Sequence, residues 1–230
     1  MKSVTFMILF VAFTLGMQAQ KNTTLSPDEF EKSIIQPQVQ LLDVRTSGEF
    51  KNRHIKNAMQ ADWNDADQFK DRIQYLDKSK PIMIYCASGG RSHAAAEWLR
   101  NNGYNSVQEL KGGMTAWNTQ DKPTEGLSSV KQMNKNEYNN LLNSHGTIMI
   151  EFGAPWCPPC KKMEPVLNQL EAELKTSFKL IKIDGGIHTD IMKQVGVDAL
   201  PVFIIYKNGK ETWRKKGIAD IGELKTRLAS

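Results

Sequence analysis

Cysteine is scarce in this chain: three in 230 residues, at positions 86, 157 and 160. A tetrahedral zinc takes about four ligands, so the pair at 157 and 160 lacks the other half of a metal site. No metal and no cofactor are expected. The formal charge is +5, yet no basic run occurs. Lys and Arg are interleaved with acids along the chain, which describes a solvated surface and implies no nucleic-acid partner. Long apolar runs are missing too. The stretch from Val4 to Leu15 falls short of the about 20 apolar residues that span a bilayer. With Lys2 before it and Gly16-Met17-Gln18-Ala19 after it, residues 1–19 read as a secretory signal peptide. No cysteine lies beside that break, so lipid attachment there is not expected. The mature chain is expected to be periplasmic or secreted, without stable membrane insertion, where disulfides persist unless something reduces them. No internal repeat is present.

What is present concentrates in Phe152-Gly153-Ala154-Pro155-Trp156-Cys157-Pro158-Pro159-Cys160. An apolar run, Ile148-Met149-Ile150, leads in. A helical pattern, Met163, Val166, Leu167, Leu170 and Leu174, leads out. A strand running into a helix puts Cys157 at the helix N-terminus, where unpaired N–H groups and the helix dipole favour a thiolate. Cys160 lies one turn along, close enough to close a disulfide. A plain stabilising link is the alternative, but so small a loop stabilises little.

Trp-Cys-Pro-Pro-Cys after an apolar strand resembles the thioredoxin family. So do Pro165 within the following helix, Leu200-Pro201-Val202-Phe203 as the cis-proline loop, and the Asn-Gly hairpin turn in Lys207-Asn208-Gly209-Lys210. The resemblance implies that Cys157 attacks a substrate disulfide, that Cys160 resolves the mixed disulfide, and that Pro201 faces them. Trp156 belongs to the same motif. Glu151 stands where that family carries a buried aspartate that moves protons. Leu180 stands where it carries a lysine, so that half of the proton machinery is expected to be absent.

Ahead of this, short apolar strands alternate with helical patterns. Val39–Val44 and Pro81–Tyr85 read as buried strands. Ser26-Pro27-Asp28-Glu29 and the stretch from Arg45 to Phe50 read as helix starts. Phe69, Ile73 and Leu76 have helical spacing. A helix is expected from His93 to Arg100. Such alternation implies a parallel sheet with its site at the strand C-termini. Cys86 stands there. Ser88, Gly89 and Gly90 can turn their amides inward as an anion-binding nest, and Arg91 adds positive potential. Leu42-Asp43-Val44-Arg45, His54-Ile55-Lys56-Asn57-Ala58, Cys86-Ala87-Ser88-Gly89-Gly90-Arg91-Ser92 and Leu110-Lys111-Gly112-Gly113 with Trp117 together resemble the rhodanese family. The resemblance implies a persulfide on Cys86. The related phosphatases have a loop one residue longer, which argues for sulfur over phosphoryl transfer. Ala87 replaces a basic residue often found in the family. Asp43 and Arg45 are expected to tie the loop region together. His54 and His93 are expected at the surface or in loops, and Trp98 and Trp117 in packing.

Asp121 to Gly126 combines proline, glycine and charge without apolar period. The expected division is a signal peptide at 1–19, a rhodanese-like parallel-sheet domain at 25–122, a linker at 123–126 and a thioredoxin-like three-layer α/β/α domain at 127–230. The combination implies an exported thiol–disulfide oxidoreductase joined to a sulfurtransferase. Its substrates are protein disulfides or persulfides. An exported dithiol cannot reach cytoplasmic NADPH, so a membrane thiol–disulfide electron carrier is the expected partner. The alternative is a non-catalytic docking module ahead of the oxidoreductase, with Cys86 idle.

Overall fold

The computed structural model describes residues 23–126, 130–143 and 146–229. The expected signal peptide at 1–19 and the expected domain start at 127 lie outside the described residues. Parallel strands need a crossover, and the helices of the first half supply it. Strands β1 (Thr24–Leu25), β2 (Gln40–Asp43), β3 (Met59–Gln60), β4 (Ile82–Tyr85) and β5 (Val107–Leu110) form one sheet in the order β1-β5-β4-β2-β3. Every pairing in it is parallel.

Parallel sheets are covered on both faces, and alternation along the strands assigns the two cores. Leu41, Met83 and Tyr85 pack with Phe30 of helix α1 (Pro27–Ile34), Phe50 of α2 (Ser47–Asn52), and Met114 and Trp117 of α5 (Gly113–Thr119). Leu42, Ile82 and Ile84 pack on the other face with Phe69 and Ile73 of α3 (Ala66–Ile73) and Ala95, Ala96 and Leu99 of α4 (Gly90–Asn101). Capping boxes at Ser26–Glu29 and Thr46–Glu49 start α1 and α2. Helix α4 starts at Gly90, ahead of the expected His93, which brings its N-terminus to Cys86.

The second half has a four-stranded sheet in the order β7-β6-β8-β9, from β6 (Thr147–Gly153), β7 (Lys179–Asp184), β8 (Val202–Lys207) and β9 (Lys210–Lys216). Strand β6 runs parallel to β7 and antiparallel to β8. Asn208 and Gly209, both at positive φ (50° and 76°), close the β8–β9 hairpin. Met149, Phe203 and Ile205 pack under α7 (Pro158–Leu174) and α9 (Ile221–Ala229). Ile148, Ile150 and Phe152 pack under α6 (Lys135–Leu141) and α8 (Thr189–Gln194). These are three layers, α/β/α.

The stretch at 123–126 is laid against α5 and the loop after α2. Trp117 Nε1 donates to the Pro123 carbonyl at 3.0 Å, and the backbones of His54 and Glu125 exchange hydrogen bonds at 2.7 and 2.8 Å. His54, expected at the surface or in a loop, lies in the loop after α2 and is buried there. It is 4% exposed, its ring stacks 3.8 Å from that of Phe50, and Nδ1 lies 2.8 Å from the Phe50 carbonyl. Among the described residues, no helix is long and apolar enough to cross a membrane.

Candidate active site

Strand β6 ends at Gly153, and the chain turns through Ala154, Pro155 and Trp156 into α7, with Cys157 as its N-cap. Pro158 suits the first helical position, where its fixed φ is pre-set and no N–H is needed. Pro159 has no N–H either. The first amide able to reach the cap is therefore that of Cys160, which donates to Cys157 Sγ at 3.3 Å. Cys157 and Cys160 are joined as a disulfide, their Cα atoms 5.2 Å apart. Leu200, joined to Pro201 by a cis peptide bond, packs against the cluster that holds Trp156, Cys157 and Cys160.

Glu151 projects from the face of β6 that α7 covers, as Met149 does. Only 5% exposed, it has its pKa pushed by burial up to about 7, with Lys182 pulling the other way. Lys182 is the register partner of Glu151 on β7. The cation expected to be absent at Leu180 thus comes from two residues further along the strand. A cavity of about 270 Å³ is lined by Glu151, Cys160, Glu164 and Lys182. It is large enough for water, and the carboxyl and the second cysteine both line it. The raised pKa makes a prediction. Protonated Glu151 stabilises the fold fully below its ordinary value of 4.5, and that contribution is lost as pH rises through about 7. Glu151→Gln stays neutral throughout. The stability of the parent relative to the variant, from melting curves, should therefore fall between about pH 5 and about pH 8. A constant difference would place the carboxyl in water.

Cys86 follows β4 and is 1% exposed. Gly89, at φ 113°, turns its amide onto Cys86 Sγ at 3.2 Å. Ser92 Oγ donates from 3.4 Å. Burial alone would raise the thiol pKa. The hydroxyl of Ser92 and the amides of Ser92, Gly89 and Ser88 outweigh burial, and the thiol falls below its ordinary value. Gly90 opens α4 beneath this loop. Arg91 is differently employed from what its place in the motif suggests. Its guanidinium pairs with Glu49 at 2.7 and 2.8 Å and draws that carboxyl down to about 2. Asp43 and Arg45 form a buried pair at 2.6 Å, and Arg45 also donates to the Arg53 carbonyl at 2.7 Å. Helix α5 supports the loop from below: the amides of Met114 and Thr115 donate to the Cys86 and Ala87 carbonyls, each at 2.9 Å. Gly113, at φ 56°, lies so close to these carbonyls that a Cβ has no room. Its support was foreshadowed only by the Gly112-Gly113 pair.

Two family profiles match this chain in sequence: Rhodanese-like domain over residues 26–120 and Thioredoxin over residues 129–230. A thioredoxin from Chlamydia caviae is 37% identical over 91 residues, covering 40% of this chain and 87% of that one. The chain belongs to the thioredoxin family, with a rhodanese-like domain ahead of it. The chloroplastic thioredoxin Y2 of Arabidopsis thaliana is 33% identical over 103 residues, 44% of this chain, and the chain spans 62% of that protein's length. The uncharacterized protein YqhL of Bacillus subtilis is 33% identical over 123 residues, 51% of this chain and 94% of that one.

The thioredoxin domain does not present its cysteines to solvent. Cys157, at the helix start as expected, is 0% exposed. The rhodanese-like domain is the reason: its Phe50, Ile55 and Ala58 share one apolar cluster with Trp156, Cys157 and Cys160. The Trp156 ring lies 5.6 Å from that of Phe50, and the Arg72 guanidinium sits 5.1 Å over its centroid. Trp156 Nε1 is buried with no hydrogen-bond partner among the described residues, an arrangement that costs about 1–3 kcal/mol. Cys86 belongs to the core on the α3–α4 face, opposite the face that meets Cys157.

Proposed function

We propose that this chain exchanges thiols and disulfides through Cys157 and Cys160, and that Cys86 accepts and passes on sulfane sulfur. The reading rests on the capped pair itself, with the Cys160 amide on Cys157 Sγ and a carboxyl titrating near 7 in a cavity shared with Cys160. In the reduced pair, the Cys157 thiolate attacks one sulfur of a protein disulfide, and the other sulfur leaves as a thiolate. Ionised Glu151 takes the Cys160 proton across the cavity. Cys160 then attacks Cys157 Sγ, expels the second substrate thiolate and closes the disulfide. The substrate gains the two electrons that the pair loses. Trp156 and Pro201 frame the substrate. For an exported chain, the electron partner is a membrane thiol–disulfide carrier.

At Cys86, the thiolate attacks the outer sulfur of a sulfane donor. The donor's remaining sulfur leaves with the electron pair, and a persulfide remains. The amides of Ser88 and Gly89 and the hydroxyl of Ser92 hold its charge, with Gly90 keeping the turn open and Arg91 alongside. A second reading, in which the rhodanese-like domain only docks, is favoured by the burial of Cys157 against its non-catalytic face. The test of the first reading is a trap. Cys160→Ala, reduced and mixed with a disulfide-bearing protein, should accumulate a mixed disulfide on Cys157. An adduct on Cys86, or none, would assign the exchange elsewhere.

A further inference from the structure

We propose that the rhodanese-like domain is an intramolecular cap on the dithiol, its β3 edge occupying the face where a substrate polypeptide would sit, so that protein disulfides reach Cys157 only when the cap lifts. This rests on the oxidoreductase reading above.

Strand β3 is the edge of its sheet, and a strand edge presents backbone groups to whatever pairs with it. Its amides alternate in direction. That of Ala61 turns inward to the Asp43 carbonyl at 3.0 Å, and that of Gln60 turns outward to the Trp156 carbonyl at 2.9 Å. The contact is a backbone hydrogen bond from an extended segment to the residue before the attacking cysteine, the kind an extended substrate makes. Arg72 holds the segment in place. It donates to the Gln60 carbonyl at 3.0 Å while covering the indole of Trp156. Clefts adjoin this contact. A cleft of about 830 Å³ runs along one side past Tyr75, Lys80, Pro158 and Lys161. Another of about 780 Å³ runs along the other past Ser47, Arg72, Trp156 and Leu200. Neither reaches a cysteine, but Cys160 lines the cavity of about 270 Å³ beside Glu151, which admits a small thiol and not a folded protein. The unpartnered Trp156 Nε1 finds water when the cap lifts, which keeps the closed form from being too tight to open.

The test uses the full oxidised chain. Hydrogen exchange reads the Gln60 amide directly, and reduction is timed with dithiothreitol and with a reduced dithiol protein. In the parent, the Gln60 amide should be protected. Arg72→Glu should remove that protection and speed reduction by the protein about tenfold, the inverse of a small open fraction, while changing the dithiothreitol rate little. Arg72→Ala, which leaves Gln60 and its side-chain bond to the Arg45 carbonyl in place, is the second variant should the first misfold. A freely exchanging Gln60 amide in the parent, or variants reduced by the protein at the parental rate, would overturn the cap. If no form exchanges with any protein thiol, the oxidoreductase reading fails. The Gln60 amide then decides the dock alone: slow exchange upholds it and fast exchange ends it.

Discussion

Cys157→Ser should lower reduction of a protein disulfide by about three orders of magnitude or more, as loss of a sole nucleophile does. Serine keeps the size and the hydrogen bond from the Cys160 amide, but its hydroxyl does not ionise near neutrality, and the thiolate is what attacks. Cys160→Ser should also stop turnover, yet for a different reason: attack proceeds and the mixed disulfide stays. Mass spectrometry of the stalled protein separates the two. Loss of the cross-link itself changes stability little, because the closed loop is small. Parental turnover in Cys157→Ser would move the attacking role to another residue.

The second large effect concerns sulfur. Incubation with a sulfane donor should add the mass of one sulfur atom to the parent, and none to Cys86→Ser. The same variant should keep its protein-disulfide activity, since Cys86 packs in the core on the opposite face of the sheet from Cys157. Arg91→Ala should slow the loading without ending it. It releases Glu49, whose carboxyl then returns toward its ordinary range, while the bonds from Gly89 and Ser92 to Sγ remain. An unmodified Cys86 with every donor would favour the docking role.

Much of this was legible because local chemistry carries it. The capping boxes, the Asn-Gly hairpin, the glycine loop after Cys86 and the proline-flanked pair each occupy a few consecutive residues. The strands Thr24–Leu25 and Met59–Gln60 are too short to show a period, and Val107–Leu110 carries Gln108 and Glu109 where a buried strand would be apolar. The site's long-range partners leave no local mark. Glu49 meets Arg91 from 42 residues away. Lys182 stands in for a lysine sought at 180. Gln60 finds Trp156 in another domain. The burial of Cys157 follows from that last contact, and the helix-start pattern around the cysteine says nothing of it.

Helix α2 is six residues long, about 1.7 turns. Two adjacent side chains on it answer to different sulfurs: Glu49 holds Arg91 beside Cys86, and Phe50 meets Trp156 beside Cys157. One short helix thus forms a wall of both sulfur environments, so a residue placed on it is fitted to two neighbourhoods at once.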